Sequence, residues 1–225
     1  MLRSVMRTAV ILSVFSFVLA GCTFGSKPDQ VEKMYEHLEK AASIEQGFVD
    51  YQQKLIQKEK KEQDLYQKII NLSMKQIDKI VSLSKQAAKS ADERMQLIKK
   101  EKEVIDKAYD EFSKVKPLAK KIEKEKLAKK ADALIEIMKK RYEAYGELYE
   151  DYAGSIQLDQ QLYQMLQKKN LKPEDLQKQI DKINKQYEAV NKDKEAFNQY
   201  TKQYNQAKTA FYKAAELDVK IKNGE

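Results

Sequence analysis

The chain has 225 residues, 43 of them Lys or Arg against 35 Asp or Glu, for a formal net charge of +8. Six Gly and three Pro are too few for a turn-rich all-β fold, and an abundance of Lys, Gln, Glu, Ala, Leu and Ile favours long helices. A single Cys and a single His exclude disulfide frameworks, Cys2His2 zinc sites and His-paired catalysis that needs a free thiol.

Arg3 and Arg7 open the chain, and an uncharged stretch rich in Val, Ile, Leu and Phe follows from Thr8 to Ala20. Roughly 13 residues fall short of the ~20 that a bilayer-spanning helix needs, so the pattern reads as a secretory signal. It ends in Leu19-Ala20-Gly21-Cys22, which resembles a bacterial lipobox. That resemblance implies cleavage just before Cys22 and a diacylglycerol on its sulfur. Two acyl chains anchor stably where one is marginal. The expected location is therefore the outer face of the cell membrane, with the lone thiol withdrawn from catalysis and metal binding. Residues 1–21 are expected to form the lipoprotein signal peptide, and 22–28 a lipidated tether. A single elongated helical-bundle domain over 29–218 and a frayed tail over 219–225 complete the expected organisation.

Pro28-Asp29 suits a helix start, and Val31, Met34, Leu38, Ala41, Phe48, Leu55, Tyr66 and Ile69 then recur at helical spacing. Gly47 interrupts this track and marks a bend or a close approach. Lys58 to Asp64 lacks apolar residues, which predicts a thinner core there. Ser73 is a candidate N-cap for a second helix, with its track running Ile77, Val81, Ser84, Ala88, Ala91, Met95, Ile98, Lys102, Ile105, Tyr109, Phe112. Ser90-Ala91-Asp92-Glu93 is a candidate local break. Pro117 predicts a turn or a kink. A third track runs from Ile122 through Leu134, Met138, Tyr142, Tyr145, Tyr149, Tyr152 and Ile156 to Leu166. Asn170-Leu171-Lys172-Pro173 is the clearest turn, with Glu174 and Asp175 suited to the positive end of a helix. The last track, Leu176 to Ala215, keeps an unbroken 4,3 spacing through Lys194, Thr201 and Lys208. Breaks near 72, 117 and 170 give four pieces of similar length. The predicted fold is all-α, an elongated up-and-down bundle, with four long helices each on the order of 65–75 Å. A three-helix bundle with one broken arm is the alternative.

Tyr142, Tyr145, Tyr149 and Tyr152 share a helix face and suggest either sugar stacking or core packing, with Met138 and Ile156 on the same face favouring the core. Glu45, Gln52, Lys102, Lys194, Thr201 and Lys208 fall on apolar tracks. Long stems packing while their heads reach water, or a role in helix register, is favoured over a polar groove. His37 is expected at the surface. Position 34 is Met, so the Glu-x-x-His motif of di-iron bundles fails, and no metal or other cofactor is expected. Carboxylate pairs such as Asp92-Glu93 and Glu150-Asp151 stand among lysines, with nothing to mark a catalytic pair, and there is no Gly-rich phosphate loop. From Lys114 to Lys130 eight lysines face only Glu123 and Glu125, and Lys139-Lys140-Arg141 follows. Lys114, Lys116, Lys120, Lys121, Lys124, Lys139, Lys140 and Arg141 form the candidate basic face, for anionic lipid headgroups or wall polymers. Nucleic acid does not suit the expected compartment.

Whole-chain features also resemble the YkyA-type cell-wall-binding lipoproteins of Gram-positive bacteria. The resembling stretches are Tyr35-Glu36-His37-Leu38-Glu39-Lys40-Ala41-Ala42, Leu65-Tyr66 with Ile69-Ile70, and Arg141-Tyr142 with Tyr145. Leu162-Tyr163-Gln164-Met165-Leu166, Phe197-Asn198 with Thr201, Tyr204-Asn205 and Phe211-Tyr212 complete them. The resemblance implies a helical bundle and a lipid-anchored, wall-facing life, with peptidoglycan or anionic wall polymer as partner. It carries over no catalytic or ligand residue beyond Cys22. The expected function is non-enzymatic wall binding; the alternative is a scaffold or regulator docking an envelope protein.

Overall fold

The computed structural model describes residues 29–217. The expected signal peptide, the Leu19–Cys22 motif, the tether and the 219–225 tail lie outside the described residues. Within them the chain is all-α. The order is α1 (Asp29–Ile70), a 3-10 turn (Met74–Gln76), α2 (Ile77–Ser113), a short α3 (Val115–Ala119), α4 (Glu125–Met165) and α5 (Pro173–Ala214). The four long helices, of 42, 37, 41 and 42 residues, form the expected up-and-down bundle.

The helix boundaries follow local chemistry. The Ser73 N–H donates to Gln76 Oε1 at 3.4 Å and leads through the 3-10 turn into α2. Pro117 has no N–H for the Ser113 carbonyl four residues before it, and the helix is interrupted there, between α2 and α3. It sits third in α3, among the positions whose N–H groups a helix leaves unpaired, and the chain turns after it at 120–124. The expected break at Ser90–Glu93 is absent: α2 runs through it, with Ser90 and Ala91 buried. Pro173 opens α5, with Glu174 and Asp175 in its first turn. At the other end, Leu217 N–H donates to Tyr212 O at 3.0 Å and Glu216 N–H to Lys213 O at 3.2 Å, and Glu216 adopts φ 55°. This is a Schellman cap with a non-glycine residue in the left-handed position.

The described residues divide into two compact units. One comprises 50–101 and 147–194; the other comprises 29–49, 102–146 and 195–217. Each long helix contributes to both. In the first unit, Leu55, Tyr66, Ile98, Ile156, Tyr163 and Ile183 are buried. The apolar core is interrupted on α1 from Lys58 to Asp64, between Leu55 and Leu65, but the position is not empty. Glu62 fills it, 0% exposed, facing the equally buried Arg94.

The second unit has an aromatic core. Tyr145 and Phe197 rings lie 5.4 Å apart, Phe48 lies 6.1 Å from Tyr145, and Phe112 packs edge-on to Tyr204 at 6.0 Å. A larger cluster joins Val31, Met34 and Leu38 of α1 to Phe112, Leu134, Phe211 and Tyr212. α1 runs without a break through Gly47. A Cβ there would meet Val104 Cγ2 at 3.6 Å, an ordinary contact.

Candidate polyanion-binding face

The lysine-rich segment owes its position to helix ends. α2 stops at Ser113, α3 adds little more than one turn, and Lys121 and Ile122 N–H groups donate to Leu118 and Ala119 carbonyls at 3.0 and 3.1 Å. Leu118 and Ile122 then pack against the second unit's core cluster, with Val115 and Ala119 inside it. Apolar residues at 115, 118, 119 and 122 face inward, so the intervening lysines are turned outward. Lys114, Lys120, Lys121 and Lys124 are exposed and Lys116 is half-buried.

Their partners differ. Lys114 Nζ bonds Glu111 Oε2 at 2.7 Å, and Lys116 lies 5.3 Å from the Tyr109 ring centroid. Lys139 and Lys140 are exposed and make long contacts with Glu143 and Glu136, at 3.7 and 3.5 Å. Exposed pairs of this kind contribute little to stability and leave most of the charge accessible. Among the described residues, Lys120, Lys121 and Lys124 make no ion pair. Neither do Lys126 and Lys130, which sit on the same turn and the start of α4. Those two belong to the basic run but not to the sequence-derived face. Helical phase exposes them, whereas Lys129 between them pairs with Glu125 at 2.7 Å.

Arg141 does not share this face. Its side chain is 6% exposed and forks onto Glu45 at 2.7 and 3.0 Å, while Nε donates to Thr201 Oγ1 at 3.0 Å. The guanidinium also lies 5.0 Å from the Phe197 ring centroid. The buried track of α4 runs Leu134, Met138, Arg141, Tyr145, Leu148, Tyr152, which puts Arg141 on the core side of a basic triplet.

The tyrosine row separates in the same way. Tyr145 and Tyr152 are buried; Tyr142 and Tyr149 are half-buried. Tyr142 stacks on Tyr109 at 3.9 Å and donates to Asp106 Oδ1 at 2.9 Å, so one ring face is already covered. Burial and Asp106 push its hydroxyl up to about 12. His37 is half-buried, not simply on the surface, with Nδ1 2.8 Å from Glu111 Oε1. Lys114 first, then His37, pull the Glu111 carboxyl down to about 2.

The polar residues on the core tracks also divide. Lys102 and Lys194 are half-buried, Gln52 and Thr201 are buried, and Glu45 serves Arg141. Lys208 corrects the expectation that such heads reach water. It is 1% exposed, with Nζ 2.9 Å from Glu39 Oε1, to which Tyr212 also donates at 2.6 Å.

A layer of buried charge in the first unit was, apart from Tyr152, not singled out from the sequence. Arg94 Nη2 bonds Asp159 Oδ2 at 2.5 Å and lies 3.6 Å from Glu62. Tyr187 donates to the same Asp159 oxygen at 2.7 Å, and Tyr152 donates to Glu59. Both Glu62 oxygens and Arg94 Nε and Nη1 are buried without a hydrogen-bond partner among the described residues. Desolvation raises all three carboxyls, Glu62 to about 8, against the opposing pull of Arg94. With one guanidinium to share, Glu62 is the carboxyl raised far enough to hold its proton at neutral pH. The apolar gap at 58–64 was the available signal for this layer.

Among the described residues no helix is long and apolar enough to cross a membrane, and no group of His, Cys, Asp and Glu is placed to hold a metal ion. Fold and site thus define a helical-bundle protein with ion pairs inside its core and a run of exposed lysines at the turn between α3 and α4. The family is specific: the chain belongs to the YkyA family, described as putative cell-wall binding lipoprotein, whose family model matches residues 29–214. No curated protein matches the chain. Among solved structures, it resembles a conserved protein of unknown function from Staphylococcus aureus, known from a 1.6 Å crystal structure. The two share 16% identity and a TM-score of 0.74, over 83% of this chain and 97% of that one. At that identity the likeness speaks for the fold alone.

Proposed function

We propose that this protein is a non-enzymatic wall-binding lipoprotein, held on the outer face of the cytoplasmic membrane through a diacylglyceryl thioether at Cys22. Its helical bundle stands in the wall, and its exposed lysines contact anionic polymer or peptidoglycan. The carrying observation is the family membership over 29–214, together with Leu19-Ala20-Gly21-Cys22 ahead of it. The chemistry supports the reading: a net charge of +8, or +6 once Arg3 and Arg7 leave with the signal peptide, exposed Lys139 and Lys140, and unpaired Lys120, Lys121 and Lys124 suit a polyanion. The sedimentation of the detergent-solubilised chain with purified walls tests it. Retention at low salt that falls as ionic strength rises is the expected result, because screening shortens the Debye length to ~3 Å at 1 M. No retention at low salt defeats the reading.

A second reading, a scaffold beside an envelope machine, draws on long half-exposed helix faces that suit partner helices. Crosslinking in intact cells separates the two: a single dominant protein adduct favours the scaffold.

A further inference from the structure

The unpaired lysines of the α3–α4 turn have a definite address within the second unit. Contacts between helices fix the register there. His37 of α1 meets Glu111 of α2, Glu39 meets Lys208 of α5, and Glu45 meets Arg141 of α4. Extending each helix by the same rise places Asp29, Lys120, Glu125 and Leu217 at one level. Side-chain packing agrees. Leu118 and Ile122 of the turn share a cluster with Val31 and Met34 of α1, and the Tyr35 and Tyr212 rings lie 5.4 Å apart. The basic turn therefore lies at the end of the unit where α1 begins, the end that the tether reaches. The seven residues from Cys22 to Asp29 span at most about 25 Å.

Charge at this end favours an anionic surface. Segments 29–36, 113–130 and 209–217 carry ten lysines against six acidic residues. The acidic ones are partly spent, Asp29 on Lys33 and Glu125 on Lys129. Lys120, Lys121, Lys124, Lys126 and Lys130 are exposed and without ion pairs among the described residues.

The geometry points to a membrane contact: the lysines of the α3–α4 turn rest on the anionic headgroups of the bilayer that holds Cys22. Lys139 and Lys140, more than two turns further along α4, remain for wall polymer. The inference rests on the lipid anchor proposed above and assigns part of the basic face to a different surface. A tether alone leaves the bundle free to tilt, whereas a cationic turn against the bilayer sets which end faces it.

Lysine footprinting of the full lipidated chain tests this. The chain is purified in detergent and reconstituted into neutral phosphatidylcholine vesicles or vesicles with phosphatidylglycerol, then acylated and read by mass spectrometry. Flotation reports the anchor. Expected are flotation with both vesicles and at least threefold slower acylation of Lys120, Lys121 and Lys124 on the anionic ones. Lys139 and Lys140 should react equally on both, and added salt should abolish the protection. Flotation with both but equal labelling overturns the lysine contact and leaves the anchor standing. Flotation with anionic vesicles only, with the turn protected, upholds the contact and overturns the anchor; flotation with neither overturns both. Protection on neutral vesicles by free polyphosphate, as strong as that by the anionic bilayer, assigns the turn to a soluble polyanion and overturns the membrane contact.

Discussion

Two carboxyls in this protein answer to pH in opposite ways because their surroundings differ. Glu111 collects Lys114, His37 and Lys40, which hold its pKa at about 2. Its contribution to stability is present at neutral pH and is lost as pH falls below the ordinary carboxylate range toward 2. Glu62 is buried with no hydrogen bond to its oxygens, and desolvation raises it to about 8. The folded chain thus keeps a proton there that the unfolded chain releases near pH 4. Its contribution is full below that pH and declines as pH rises to about 8, with a limiting slope of about 1.4 kcal/mol per pH unit. Glu62→Gln should flatten the decline of Tm between pH 5 and 8, measured by thermal melts across that range. A decline as steep as in the parent chain would argue against a protonated Glu62. Arg94→Met removes the buried cation from the same layer and leaves Asp159 and Tyr187 facing apolar atoms. A loss of about 3 kcal/mol or more is expected in denaturant unfolding at pH 7, shrinking as pH falls and the carboxyls take up protons.

At the level of the helix, two backbone positions are suboptimal and correctable. Gly47 lies within continuous α1, and an added Cβ would sit 3.6 Å from a Val104 methyl group, which leaves room for Ala. Gly47→Ala should stabilise by up to about 1 kcal/mol through helix propensity alone. Glu216 holds φ 55° to close α5, so Leu217 can turn back onto the core with Tyr212. Glu216→Gly keeps the Schellman hydrogen bonds and relieves the left-handed strain, with an expected gain of about 0.5–1 kcal/mol. Both gains are read as shifts in urea midpoint at unchanged m-value. The Pro117 region shows how an element boundary is decided. Pro117 removes the hydrogen bond to Ser113 and the helix is interrupted beside it, but the actual turn falls at the lysine-rich 120–124.

For the whole molecule, attachment and electrostatics are separable. The chain carries +8 overall, yet its accessible positive charge is uneven, because the buried cations Arg94, Arg141 and Lys208 are each paired with a carboxylate. Removing the thiol should therefore change location without unfolding the bundle: Cys22 lies outside the described helices. Cys22→Ala is expected to move the protein from the membrane pellet to the soluble or secreted fraction, with unaltered helical circular dichroism. Retention in a pellet washed with high salt would show a hold other than the thioether. Salt extraction of the variant alone would show that lysine contacts persist after the lipid is lost.

The heptad spacing of apolar residues, the Asn170–Pro173 turn and the scarcity of Gly and Pro determined an all-helical up-and-down bundle, since local propensity and amphipathic period both act through neighbouring residues; the choice of four helices over three was decided by the structure. The Leu19–Cys22 motif and the lysine run were equally legible, being contiguous. Burial of charge was not. Following apolar side chains led to Tyr142 and Met95, each half-buried, while the strict 4,3 rhythm passes through Arg141 and Arg94. A cation can occupy a core position only when carboxylates from other helices arrive at the same level, as Glu45 does for Arg141 and Asp159 for Arg94. Such coincidences are set by the register between helices distant in sequence. The same register decided which lysines share an end with the start of α1, which no count of lysines along the chain can supply.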